Sequence, residues 1–389
     1  MFLSHGHCGR CVVRSEESIK RRIRTILNEV GARGFDTAVF VNEIIGQSPS
    51  NFIYVSGTWG YGEEHTALIL GTDGRSTVVM PHWGAPRMEE KGLYDRVVPV
   101  KQEKGHHIRA MKEALERYHD ARNICFDLST MSSQFTLQLL KALRIELNEK
   151  LDISDCLFKL RAIKDEYEIE EIRKATGITE EAVLELASNA RPGTSTVDLK
   201  KRMDASMIER GAVEFSFEST LSFASVPARP PGLIKHGDML AVDVGCRVPS
   251  GYCSDMGRNI PVSPGSEVKE FLDRAVKAHR ESIKLIGDGV IASDVLEGSN
   301  RINKEYGFDP MVRCGHQIGL ECHDYIMPFA PNFGSIDEDR QPLKAGMTLT
   351  YEPPHSDPKK GLRTHLEDVV LVTKGEPIIL NELPWDFLW

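Results

Sequence analysis

The residues of this chain whose types and spacing could do chemistry begin with two aspartates, Asp243 and Asp255, in the stretch Met239–Val262 (MLAVDVGCRVPSGYCSDMGRNIPV). Met239–Val244 is an apolar run interrupted by Asp243. Val248-Pro249-Ser250-Gly251 reads as a turn, and Tyr252 onward reads as a second strand. A hairpin centred on Pro249 would set the two aspartates opposite each other, with Cβ atoms roughly 5 Å apart on one face. Carboxylates that close repel and are costly to bury, so they are either solvated turn residues or share a proton or a cation. Three later segments bear on that choice. His316 sits between glycines in Gly315-His316-Gln317-Ile318-Gly319, where an imidazole can approach a ligand closely. Glu352 ends the alternating strand pattern Thr348–Tyr351 and is stopped by Pro353 and Pro354; Glu367 stands at the mouth of the β-branched run Val369–Val372. Asp243, Asp255, His316, Glu352 and Glu367 together form a carboxylate-rich set with one imidazole. Such a set suits Mn, Zn, Fe(II) or Co and has enough oxygens to bridge two ions.

These segments resemble the superfamily of methionine aminopeptidase, proline-specific peptidases and creatinase, which has the pita-bread fold. GYCSDMGR is similar to its second-aspartate motif, GHQIGLECHDY to its histidine motif, LKAGMTLTYEP to its first-glutamate motif and LEDVVLVT to its last. LRAIKDEYEIEEIRKA (Leu160–Ala175) resembles the opening helix of that catalytic domain. The resemblance implies an α+β chain, with a pita-bread catalytic domain over 154–389 preceded by a smaller α/β creatinase-type domain over 1–153. It further implies two divalent metal ions, manganese foremost, held by Asp243, Asp255, His316, Glu352 and Glu367. Glu352 would also take a proton from the attacking water. His323 matches a substrate-facing histidine, or is a surface imidazole beside Asp324; Arg258 would either orient ligand carboxylates or lie on the surface.

The resemblance is not uniform. The peptidases carry another histidine well upstream of the first aspartate, whereas Ser222–Pro227 occupies that region here and no histidine occurs between Lys201 and Lys235. The Asp243–Asp255 spacing of 12 is one residue longer than usual, and His365 stands where arginine is frequent. The metal core thus matches while the substrate surroundings are altered. The expectation is a metal-dependent hydrolase resembling Xaa-Pro dipeptidases and aminopeptidases, acting on a short peptide or small molecule. The alternative is a member acting on a small zwitterion, as a dimethylsulfoniopropionate lyase does. If the enzyme is a peptidase, His355 or His365 is the available substitute for the missing histidine.

The elements that must position these residues follow from periodicity. Glu16–Phe35 reads as an amphipathic helix, Thr37–Val41 and Phe52–Val55 as strands, and His65–Pro81 as a hairpin turning at Thr72-Asp73-Gly74. Helices over His107–Tyr118 and Ser132–Leu143 flank a strand at Asn123–Phe126. The helical pattern restarts near Tyr167 and breaks at Pro192-Gly193. Ser195 or Thr196 then caps a helix over Val197–Arg210, and Ser266 caps another. Ile291–Tyr306 continues helical.

At 389 residues the chain has room for two or three domains, and 41% hydrophobic with 27% charged residues is an ordinary globular composition. A net charge of −9 argues against sequence-independent nucleic-acid binding. No apolar run approaches a membrane span and MFLSHGHCGRC lacks a signal-peptide core, which makes the cytoplasm the expected location. The eight scattered cysteines read as thiols. His5, His7, Cys8 and Cys11 have no second CxxC half nearby and read as a mobile tail rather than a zinc site. The apolar segment Leu383–Trp389 is either a dimer surface, in line with the homodimers common in the family, or tucked back on its own domain.

Overall fold

A computed structural model describes residues 9–43, 49–57, 65–101, 105–118, 123–324 and 340–387, with side chains from Glu16 onward. The chain forms two compact units, 1–161 and 162–389.

In the first unit, α1 (Gly9–Ala32) leads into β1 (Thr37–Asn42), α2 (Ser50–Ser56), β2 (Thr66–Gly71), β3 (Ser76–Pro81), α3 (Ala85–Lys91), β4 (Arg96–Val100), α4 (His106–Leu115), β5 (Ile124–Phe126), α5 (Ser133–Leu143) and α6 (Ser154–Ala162). The strands lie in the order β4-β3-β2-β1-β5. β1, β2 and β3 form an antiparallel meander, and β4 and β5 join its edges in parallel. The β2–β3 turn is the expected one, with Gly74 at φ 89°. Phe52–Val55, expected as a strand, belongs to α2 instead. A four-residue apolar run has no period to separate helix from strand. Pro49 before it and Gly57 in the left-handed region after it bound a short helix. The first helix begins at Gly9 rather than Glu16, so Cys11 falls in a helix and not in a tail; His5, His7 and Cys8 lie outside the described residues. The unit closes with α6, which an Arg33–Asp155 ion pair (2.8 Å) and a bond from Arg161 to Asn51 (2.7 Å) fasten to its core.

The second unit opens with α7 (Glu166–Asn189), started by a reciprocal capping box between Asp165 and Glu168. Next come α8 (Thr196–Glu209), capped by Ser195, then β6 (Glu214–Phe215), β7 (Thr220–Phe223), β8 (Met239–Val244), β9 (Cys246–Arg247) and β10 (Met256–Pro261). α9 (Ser266–Ser282) has Gly265 at its N-cap and no side-chain cap, so Ser266 is its first residue and not its cap. α10 (Ala292–Glu305), β11 (Thr348–Tyr351), β12 (Ser356–Asp357), β13 (Leu362–Arg363), β14 (Asp368–Leu371) and β15 (Ile378–Ile379) complete the order. β10-β8-β7 and β11-β14-β15 are three-stranded antiparallel sheets. They are joined where Gly257 and Glu367 exchange backbone bonds of 3.0 and 3.4 Å. Over 381–387 the chain folds back on this unit, with Leu383 and Phe387 buried and Trp385 half-buried; Leu388 and Trp389 lie outside the described residues.

Candidate metal centre

The β8–β10 pairing sets Asp243 opposite Gly257 and Val244 opposite Met256. The hairpin is therefore centred on Ser250 rather than Pro249, and Asp255 sits diagonally from Asp243 on the same face. Gly251 at φ 91° absorbs the extra residue of the turn. Glu367 lies across Gly257 from Asp243, so three adjacent strands present Asp243, Asp255 and Glu367 together. The His316 segment pairs with β11: Thr350 N donates to His316 O (2.7 Å) and Glu352 N to Cys314 O (2.8 Å). That pairing brings His316 and Glu352 to the same place. His316 Nδ1 bonds to Gln317 O (3.1 Å), which leaves Nε2 facing the acids. From Nε2 it is 3.5 Å to Asp255, 3.8 Å to Glu352 and 4.0 Å to Glu367.

All five residues singled out from the sequence converge. Asp255, His316 and Glu367 are buried, while Asp243 and Glu352 are partly exposed. The electrostatics are those of acids short of cations. Burial, and then Asp243, push Asp255 well above the usual carboxylate range. Burial and Glu367 raise Glu352 to about 7; burial and Asp255 raise Glu367 to about 7. Asp255 Oδ1 is buried with no hydrogen-bond partner. A buried carboxylate oxygen left bare among other acids is the environment a divalent cation completes. The donor set therefore fits metal ions.

His323 is exposed, and its ring stands perpendicular to His316 with centroids 4.1 Å apart. Burial of part of the ring and the neighbouring His316 lower it to about 4, so it is a neutral imidazole near pH 7. Asp324, its neighbour in sequence, is buried, pairs with buried Lys164 (3.4 Å) and accepts from Glu321 N. Arg258 neither lies on the surface nor touches a ligand carboxylate: it is fully buried and bonds to Asp368 and to the carbonyls of Glu367, Leu383 and Pro384. His355 packs on Phe308 and Thr364 in the interior. Burial lowers it to about 3, and among its described contacts none is to the acid cluster.

Sequence reasoning missed one neighbour, Cys322, and named the other, His365, as a substitute for the absent upstream histidine without placing its ring. Cys322 donates to Asp255 Oδ2 (Sγ–Oδ2 3.0 Å), from a loop with no periodicity to announce it. His365 Nε2 lies 3.3 Å from Glu367 and 3.5 Å from Asp243. Its i, i+2 relation to Glu367 puts both on one strand face, a signal the sequence did contain. Burial opposes a charge on His365, but the two carboxylates outweigh it and push the imidazole well above its ordinary value. Arg313 reaches to 3.8 Å from Glu352 at the open edge.

Comparisons with known proteins identify the family and the fold. Residues 170–374 match the model of "Metallopeptidase family M24", and residues 22–163 match "Creatinase/Prolidase N-terminal domain". An Xaa-Pro dipeptidase of Pyrococcus horikoshii is 29% identical over 340 residues, covering 85% of this chain and 90% of the relative. Among solved structures, the X-Pro aminopeptidase of Thermotoga maritima superposes with a TM-score of 0.77 at 21% identity, over 91% of this chain and 97% of that one. The prolidase of Thermococcus sibiricus gives 0.75 at 25% identity, over 94% and 97%.

Proposed function

Because the chain belongs to metallopeptidase family M24, with a creatinase/prolidase-type domain ahead of the catalytic one, we propose that it hydrolyses the amide bond before proline in dipeptides or short peptides. The proposed ligands of two divalent ions are Asp243, Asp255, His316, Glu352 and Glu367. The observation that carries this is the convergence of Asp255, Glu352 and Glu367 on His316 Nε2, with Asp255 Oδ1 buried and without a hydrogen-bond partner. Bound there, divalent ions would supply Lewis acidity and a water nucleophile active near neutral pH.

The chain's own residues do the rest. Glu352, at the open edge of the cluster and raised to about 7, has the basicity to take a proton from water near neutral pH and return it to the leaving nitrogen. His323, neutral and exposed beside His316, donates a hydrogen bond to the oxyanion as the carbonyl carbon becomes tetrahedral. His316 is held in one tautomer by Gln317 O, and its backbone by β11.

The test is a panel of Xaa-Pro dipeptides, longer Xaa-Pro peptides and proline-free controls against enzyme reloaded with Mn, Co, Zn or Fe(II). Turnover confined to Xaa-Pro bonds is expected. Asp255→Ala should abolish it and remove at least one metal equivalent by elemental analysis. A fully metallated enzyme inert toward every Xaa-Pro peptide would overturn the substrate assignment.

A further inference from the structure

We propose that His365 is itself a metal ligand, so that each ion position has its own aspartate and its own imidazole, with Glu367 shared between the two. The inference rests on the reading of the acid cluster as a two-metal centre and deepens it. Among the described residues three groups of donors each lie within 4.8 Å of one another: Asp255, His316 and Glu367; Asp243, His365 and Glu367; and Asp255, Cys322 and the exposed His323. The first two groups mirror each other in residue type and meet at one carboxylate, that of Glu367. Its two oxygens face different imidazoles, Oε1 being 4.0 Å from His316 Nε2 and Oε2 3.3 Å from His365 Nε2.

Three features place the His365 ring for this role. Its Nε2 is buried and makes no aligned hydrogen bond despite lying between two carboxylates. A nitrogen aimed into the space between Asp243 and Glu367 stands where a ligand atom would. The backbone is fixed, since His365 N donates to buried Asn259 Oδ1 (2.7 Å). Room is reserved as well: a Cβ on Gly257 would come within 2.1 Å of His365 Cδ2, so the glycine opposite Asp243 is what lets the ring lie there. Four carboxylates already match the charge of two divalent ions, so the His365 ring would join the second position as a neutral donor, its proton displaced by the ion. A second imidazole shifts the centre toward Co, Zn or Fe(II) at the expense of Mn.

Metal-free protein carrying ring-13C histidine, reconstituted with Co(II) and followed by NMR, decides the matter. Two histidines should show contact-shifted ring carbons in the wild type and only His316 in His365→Gln. Gly257→Ala, which displaces the ring without changing it, should likewise lose the second set. Co(II) titration of His365→Gln should keep the first equivalent and weaken the second by more than the roughly 10–100-fold that loss of a hydrogen-bonding neighbour costs. Two bound Co(II) with a single contact-shifted histidine in the wild type would overturn the inference and leave the two-metal reading standing. Wild type that binds no Co(II) would overturn both. The wild-type spectrum alone counts the ligated rings, so the outcome does not depend on either variant folding.

Discussion

Glu367 and Asp368 are adjacent in sequence, both fully buried, and face opposite sides of the same strand, yet their surroundings are opposite in kind. Asp368 is completed by the protein. Arg258 pairs with it at 2.5 Å, His279 Nε2 lies at 2.6 Å, and Asn381 and the Trp385 indole donate to it. Burial opposes its charge, but Arg258 and His279 hold its carboxyl well below the usual range. Glu367 has carboxylates and imidazoles for neighbours and is raised. A buried acid that brings its own cation is part of the framework, whereas one set among other acids is waiting for a cation from outside. The comparison separates structure from function at a resolution of one residue.

The most damaging way to break it is to strip the completed acid of its partner. Arg258→Ala leaves Asp368 buried and uncompensated, and a loss of about 3–5 kcal/mol is expected in urea unfolding. A loss near that of an exposed salt bridge would show that Asp368 is not held as described.

A second test uses pH on metal-free protein. Glu352 and Glu367, at about 7 when folded and near 4.5 when unfolded, bind more protons in the native state between those values. Their ionisation therefore destabilises, and they add stability as pH falls from 8 through 7, while His323 and His355, at about 4 and 3 when folded, withdraw it as pH falls below 6.5. Asp368 has the reverse sign: its contribution is present above about 3.8 and is lost as pH falls through its depressed folded value. Metal-free Glu352→Gln should therefore lose less stability than wild type as pH rises from 6.5 to 8; a loss as steep as that of wild type over this range would contradict the arrangement.

Neutralising the open cluster should help rather than harm. Asp255→Asn, metal-free at pH 7.5, should gain on the order of 1–2 kcal/mol while losing metal binding. Destabilisation by that substitution would place Asp255 with Asp368 in the framework class. At the bottom of the scale, Lys277→Ala removes an exposed pair with Asp273 (2.7 Å, both half exposed) and should cost no more than about 0.5 kcal/mol.

How much of this could be read from the chain alone follows from where the information lies. Asp243, Glu352 and Glu367 interrupt or terminate apolar strand patterns, and His316 sits between glycines, so each was marked by local context. That they meet was carried by the family resemblance and not by periodicity. The hairpin register was missed by one step because symmetry about Pro249 ignored Gly251, whose positive φ shifts the turn centre to Ser250. Arg258 was misplaced because nothing local tells an arginine that its acid is 110 residues away. Cys322 and the ring of His365 join the cluster through a loop conformation and a missing Cβ at Gly257, which are tertiary facts. The α2 segment failed for a simpler reason, its four-residue apolar run barely exceeding one helical turn and so showing no period.

The partners of Asp368 also set a schedule. Asn381, Leu383, Pro384 and Trp385 are made after every residue of the acid cluster. A nascent chain that has reached only Val372 carries all the candidate ligands, but Asp368 and Arg258 on the far side of the same strands still lack what the later segment brings. The backbone carbonyls that fix Arg258 against Glu367 O arrive last. The strands that carry the candidate ligands thus depend on a segment that follows every one of those ligands in the chain, and a variant cut after Val372 would keep the ligands while losing the bonds that fix Arg258 behind them.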